Sequence, residues 1–383
     1  MKLKCRPEDF RVEELLSLKL AKRGRYSVYR LEKRYWNTLD VIRELESKHR
    51  FRRIGRAGLK DRYSHSIQYL SIAGTGPAAI TEKNWRLTLA GMANEPVTRD
   101  AVSANRFTIT LRSLDEAEVE TALAALPQVR SSGLANYYDE QRFGSGRSGQ
   151  GFIGRRLLDG HYHGALKLLL ATPSAADDSS ARRRHEQALA HWGDWREVAK
   201  LAPPEARPAV EHLTQRHSDF KGAVKLLPRP LLELFLNAYQ SWLFNEILCA
   251  LFRKLGIPTR EVEYSQGKLA FYRTLLPDQL RYLDKLEIPV PGPGAEFSSD
   301  RVAAITTEVL AREGLELEDM KLGLRVRGLY FKPYPRRALV RPGELRSRGP
   351  ADDDLYPGKQ KLELGFTLPP GSYATILVKR LLV

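Results

Sequence analysis

Gly58 to Gln68 reads Gly-Leu-Lys-Asp-Arg-Tyr-Ser-His-Ser-Ile-Gln, with one carboxylate, Asp61, between two cations, Lys60 and Arg62. Nearby cations favour the ionised carboxylate. An ionised carboxylate serves as a nucleophile or a general base. Gly58 before the charges and the apolar run Tyr69 to Ala73 after them predict a tight turn feeding a strand. A side chain on such a turn is presented to solvent by a rigid scaffold, where chemistry is often placed. Standing alone, the same triplet also reads as a solvated turn, because charge runs are common on surfaces.

The elements that must position this turn come next. Phe10 to Leu15 and Tyr26 to Leu31 read as strands. Asn37 or Thr38 caps a helix running to Leu45, with Leu39, Ile42 and Leu45 on one face. Arg50 to Arg56 carries four arginines and leads into the Asp61 turn, so a basic surface is expected to border it. Trp85 to Leu89 and Phe107 to Leu111 alternate as strands do, and Leu114 to Leu126 reads as a helix ended by Pro127. Pro173 to Ala181 reads as loop and Arg182 to Trp195 as helix. Leu231 to Leu255 has the clearest helical spacing, and Asp300 to Gly314 forms another helix. Arg346 to Gly358 is polar and reads as loop, and Lys361 to Phe366 alternates. Strands and helices mix without regular βαβ alternation, which predicts an α+β fold. Gly144 to Gly149 spells G-x-G-x-x-G, but lacks both the buried strand before it and the acidic residue about 20 positions later that a dinucleotide site needs. It reads as a glycine-rich loop whose neighbours Arg142, Arg147, Arg155 and Arg156 could serve phosphates.

A chain of 383 residues suits two domains. Its net charge of +16 makes a polyanion the first partner to consider, nucleic acid above all, with a merely soluble charged surface as the alternative. Two cysteines, Cys5 and Cys249, build no disulfide framework and show no metal-ligand spacing, which fits a reducing cytoplasm. Met1 to Arg6 lacks the apolar core of a signal peptide, and no run of 18 apolar residues suggests a membrane span.

Gly58 to Arg62 resembles the catalytic motif of the TruD family of RNA pseudouridine synthases. Lys4 to Glu13, Asn136 to Gly144, Asn237 to Asn245 and Leu368 to Thr375 resemble further stretches of the same family in the same order, so the likeness spans nearly the whole chain. It implies a pseudouridine synthase catalytic domain with a mixed or antiparallel sheet flanked by helices. Residues 1–159 together with 338–383 would build it, with a TruD-type α/β domain inserted at 160–337 and RNA in the cleft between them. The implied activity is isomerisation of uridine to pseudouridine, at uridine 13 of tRNA, by a monomer that needs no cofactor and no metal. The resemblance makes Asp61 the catalytic carboxylate and Lys4 the cation that holds it by an ion pair. It places Phe10, Asn136, Tyr138 and Tyr373 in the substrate pocket. Asn136 would read the uracil edge, and Tyr138, where the family usually has Phe, would stack on the extruded base. Asp139 stands where the family often has Gly, and a side chain there bears on how Tyr138 is placed. Two rivals remain: a tRNA-folding protein of the same fold with dispensable chemistry, and a hydrolase that removes the base.

The charge makes a first prediction. Affinity for tRNA is expected to fall by roughly 10³ between 50 and 200 mM salt if about six phosphates are neutralised. A nearly flat plot of log affinity against log salt would remove the charge argument.

Overall fold

The computed structural model describes every residue except Ser148, Ala175 and Ala176, so the Gly144 to Gly149 and Pro173 to Ala181 readings fall partly outside the described residues. The chain divides into two compact units, Met1–Leu134 with Val340–Val383, and Ala135–Leu339. The composition shift near Asp159 therefore lies inside the second unit.

The first unit is built on nine strands. They are β1 (Phe10–Leu16), β2 (Tyr26–Lys33), β3 (Gly55–Arg56), β4 (His65–Ala73), β5 (Ala79–Thr81), β6 (Trp85–Ala93), β7 (Val102–Leu114), β8 (Gly343–Asp352) and β9 (Gln360–Leu368). The order across the sheet is β8-β9-β7-β1-β4-β2-β6-β5, with β3 beside β4. Only β1 and β4 run parallel, in the register Arg11–His65, Val12–Ser66 and Glu13–Ile67; every other pair in this sheet is antiparallel. Two parallel neighbours start at the same end of a sheet. The segments that feed them, carrying Lys4 and Asp61, therefore arrive at that end together.

Helix α1 (Thr38–Lys48) covers one face, burying Val41, Ile42 and Leu45 against Tyr29, Leu31, Leu70, Ile72, Trp85 and Leu87. Leu39, expected on this apolar face, is exposed, and Val41 takes its place. Helix α2 (Glu116–Ser132) starts at a capping box between Asp115 and Glu118 and runs through Pro127 instead of ending there. Pro127 removes one amide donor from the ladder, while the helix buries Val119, Ala122, Ala125, Leu126 and Val129 along its length. It stops at Gly133, whose φ of +66° suits glycine and whose Cβ, were there one, would meet the Val340 carbonyl oxygen at 2.7 Å. Helix α3 (Ala374–Leu381) packs beside α2, and Arg380 donates to Gln128 at 3.3 Å. The polar stretch from Arg346 belongs largely to strand β8 rather than to a loop. Its side chains are mostly exposed, as suits the sheet edge, and its backbone is fixed by pairing to β9.

The N-terminal residues have few apolar groups to bury, and a buried cation holds them. Lys2 and Arg112 exchange backbone hydrogen bonds of 2.7 and 3.0 Å. The Arg112 guanidinium is buried and donates to Asp9 at 2.8 Å, Asp353 at 2.7 Å and Asp354 at 2.9 Å. Asp9 also accepts the Arg6 amide, and Cys5 Sγ meets the Tyr356 hydroxyl at 3.4 Å. Arg112 and backbone amides hold the Asp353 and Asp354 carboxyls below the usual carboxylate range, while Arg112's own pKa is raised.

The second unit centres on the helix Arg229–Lys254, buried over most of its length. Around it lie the hairpin Thr259–Tyr264/Gly267–Tyr272, the paired strands Glu287–Val290 and Tyr334–Arg337, and the helix Asp300–Arg312. Among the described residues no helix is long and apolar enough to cross a membrane.

Removing Arg112 strands buried carboxylates, so Arg112→Leu is expected to cost about 3 kcal/mol in urea unfolding at pH 7. Asp353 and Asp354 titrate below their unfolded value of 3.8, so they stabilise above that pH. That stability is lost as pH falls through the folded values. Arg112→Leu should flatten the acid decline below about pH 4; an unchanged acid limb would refute this origin.

Candidate functional site

Lys4 and Asp61 meet. The Lys4 ammonium donates to Asp61 Oδ2 at 2.8 Å, with the Asp61 side chain 44% exposed. The same ammonium lies 4.4 Å from the centroid of the Phe10 ring, a cation–π contact. Phe10 is itself buried and meets Phe107 edge-on at 6.1 Å, so it is core and site wall at once. Lys4 takes a left-handed backbone, φ +56°, which a residue with a side chain adopts at a cost. Its neighbours fixed by Arg112 and Tyr356 hold it there.

Beneath Asp61 lies Lys33. Its ammonium donates to three backbone carbonyls, those of Trp36 at 2.8 Å, Lys60 at 3.1 Å and Asp61 at 2.9 Å. It is buried, and burial pushes its pKa down to about 8 against the opposing pull of Asp61 and Asp40. Ser64 Oγ donates to the Asp61 carbonyl at 2.9 Å, and the Lys60 amide donates to Thr38 Oγ1 at 2.9 Å. Thr38 in turn donates to the buried Gln68 at 2.7 Å, joining α1, the turn and β4. The two cations beside Asp61 in sequence serve other partners. Lys60 Nζ pairs with buried Glu14 at 2.7 Å, and Arg62 Nε donates to the Tyr35 carbonyl at 3.0 Å. A cation that does pair with Asp61 is the distant Lys4.

Tyr373 is half-buried in the same unit, at the residue preceding α3. Asn136 and Tyr138 lie in the second unit. The Asn136 carboxamide accepts from Arg336 Nη2 at 2.7 Å and donates to the Arg337 carbonyl at 3.1 Å. Tyr138 is buried, with the Arg336 guanidinium 3.9 Å from its ring centroid and Phe244 edge-on at 5.5 Å. Its hydroxyl shares a 2.7 Å hydrogen bond with that of Tyr334, and burial raises its pKa. Asn245 clamps the Tyr138 backbone, accepting its N–H and donating to its carbonyl, both at 2.9 Å. Asp139 has an extended backbone, φ −120° and ψ −179°, so a side chain there brings no strain. Of the arginines set aside for phosphate, Arg147 is buried and donates to the Leu168 and Gly144 carbonyls, and Arg155 pairs with Asp159. They support the fold.

Lys33, Arg112 and Glu14 are not evident as site-builders in the sequence. For Lys33 a signal exists: Tyr29, Leu31 and Lys33 share one face of a strand, which puts the lysine on the buried side. Among the described residues no cluster of three or more His, Cys, Asp or Glu could hold a metal.

Compared with solved structures, the chain resembles a crystal structure from Methanosarcina mazei of a protein assigned as tRNA pseudouridine synthase D. The TM-score is 0.73 at 26% identity, covering 100% of this chain and 93% of that one. The fold, a mixed sheet flanked by helices, is therefore that of a pseudouridine synthase. The family model described as tRNA pseudouridine synthase D (TruD) matches residues 1–267 and 282–381, and the chain belongs to that family. A Methanocaldococcus jannaschii relative named "Probable tRNA pseudouridine synthase D 2" is 31% identical, over 99% of this chain and 91% of its own. The tRNA pseudouridine synthase D of Aquifex aeolicus is 30% identical, over 100% of this chain and 98% of its own.

Lys33 generates a pH prediction. Its pKa is depressed from 10.5 in the unfolded chain to about 8 when folded, so the unfolded state binds more protons between those values. Stability from this group rises as pH passes from about 8 to 10.5. Lys33→Met should lack that rise when urea unfolding of both proteins is compared across the window; parallel curves would show that Lys33 does not titrate there.

Proposed function

We propose that this chain isomerises uridine to pseudouridine in tRNA, at uridine 13, with Asp61 as the catalytic carboxylate. One observation carries the reading: the 2.8 Å Lys4–Asp61 pair beside the Phe10 ring, in a chain that matches the TruD family almost from end to end. The reaction breaks the bond between uracil N1 and ribose C1′ and forms one between C5 and C1′. A proton leaves C5 and one is gained at N1, so nothing is oxidised and no atom is lost. A carboxylate assists such glycosidic cleavage as nucleophile or as base. Lys4 orients Asp61 and offsets its charge near a polyanion. Its left-handed backbone is the kind of strain that clusters at working sites.

In this reading Phe10, Asn136, Tyr138 and Tyr373 line the substrate pocket. Arg336 orients the Asn136 carboxamide and stacks on Tyr138, which keeps both groups fixed. Residues 1–159 with 338–383 act as the catalytic body and 160–337 as the inserted domain, in the cytoplasm and as a monomer. The +16 charge supports a nucleic-acid substrate.

Asp61→Asn keeps the side chain's size and removes its charge. Pseudouridine formation is expected to drop below detection, while tRNA binds as well or slightly better because a repulsion from phosphate is gone. A solvated turn aspartate would instead tolerate the change within about 0.5 kcal/mol and leave turnover intact. Pseudouridine yield and tRNA affinity measured on one folded preparation decide between them; turnover within about tenfold of the parent would sink the assignment. Unchanged RNA mass after reaction separates isomerisation from base removal.

A further inference from the structure

Two loops meet here, one around Tyr35 and the Asp61 turn itself, from Leu59 to Tyr63. They are tied together, because Lys33 donates to carbonyls of both and Arg62 Nε donates to the Tyr35 carbonyl. In the first unit the exposed large hydrophobics are Met1, Tyr35, Leu39, Leu59 and Tyr63, and the three most exposed belong to these loops: Tyr35 at 48%, Leu59 at 58% and Tyr63 at 59%. Tyr35 is held at φ +58°, a left-handed backbone that a bulky residue adopts at a cost. The Arg62 guanidinium lies 5.8 Å from the Tyr63 ring centroid. Exposed arginines, Arg34, Arg50, Arg52, Arg53, Arg56 and Arg62, lie on these loops and on the segment just before the turn.

We propose that Tyr35, Leu59 and Tyr63 form a stacking rim that receives the nucleobases flanking the target uridine. The proposal rests on the function above and extends it from the reacting base to its neighbours. An enzyme that works on a base inside folded RNA must take it out of its stack. The bases on either side then lose a stacking partner. An exposed aromatic side chain replaces that partner whatever the sequence, since every base has a π-face. Arginines interleaved with the aromatics contact the phosphates, which fixes the strand while its bases stack. A rim for a protein partner would have little use for so many exposed arginines on these loops and just before the turn. Tyr35 keeps an exposed ring on a left-handed backbone whose carbonyl accepts from Arg62 Nε, which fits the same purpose.

The test uses the full chain and a tRNA transcript carrying 2-aminopurine beside the target uridine. Wild type should quench the fluorophore on binding and form pseudouridine. The double variant Tyr35→Ala/Tyr63→Ala should lose the quench and fall tenfold or more in kcat/KM, in the range that loss of base–aromatic stacking gives. Its thermal unfolding should match the parent, since both side chains are exposed. Tyr35→Phe/Tyr63→Phe should restore quench and rate, because the ring and not the hydroxyl is required. An alanine variant with full quench and kcat/KM within twofold of wild type overturns the rim, while wild-type activity leaves the function standing. So does unaltered RNA behaviour with a concentration-dependent mass that only the alanine variant loses, which would make these rings a contact between copies. Failure of wild type itself to form pseudouridine overturns the function, and the rim with it.

Discussion

A guanidinium buried in a sheet must be met by carboxylates, and that requirement brings residue 4 to residue 61. Arg112 on β7 draws in Asp9 from the start of the chain and Asp353 from the C-terminal segment. The short helical turn Pro7–Asp9 is thereby fixed at the head of β1, and the residues before it are zipped along β7 by the Lys2–Arg112 bridge. An isolated cation here would be far costlier than a hydrophobic residue, so the three carboxylates are obligatory partners rather than extra stability. Their value is placement: they hold a polar segment that has no hydrophobic surface to dock with.

The sheet then converts placement into a site. One parallel pair in an otherwise antiparallel sheet is enough to bring two remote lead-in segments to a common end. Lys33 at the end of β2 fastens the second of them from below, supplying three N–H donors to carbonyls that a turn would otherwise leave to water. The carboxylate itself stays partly open. Rigid support under an accessible group is what a positioned catalyst requires.

Much of this was legible in the sequence. The Gly58 to Arg62 turn, the strand after it, helix α1 and the long helix from Arg229 all follow from local periodicity and turn chemistry. The meeting of Lys4, Phe10 and Asp61 followed from the family resemblance, and no spacing rule links residues so far apart. What was not legible is long-range compensation. Nothing local marks Arg112 as buried, since alternation after Leu111 points it to the opposite side, and its partners come from distant segments. Pro127 shows the same limit in reverse: tertiary packing of α2 outweighs a local breaker. Strand β8 is polar because it is an edge, which composition alone cannot distinguish from a loop.

The span of the Arg112 cluster has a consequence for how the chain matures. Arg112 and Asp353 are 241 residues apart, and strands β8 and β9 join the sheet only through β7. During synthesis the whole second unit is made between these partners. Until the C-terminal segment leaves the ribosome, Arg112 has no Asp353 to meet, and β7 is an open edge. Contacts this distant in sequence form late and slowly. Of the carboxylates around Arg112 only Asp9 is available until then, so the full cluster that fixes the Lys4 segment closes only when translation is nearly complete.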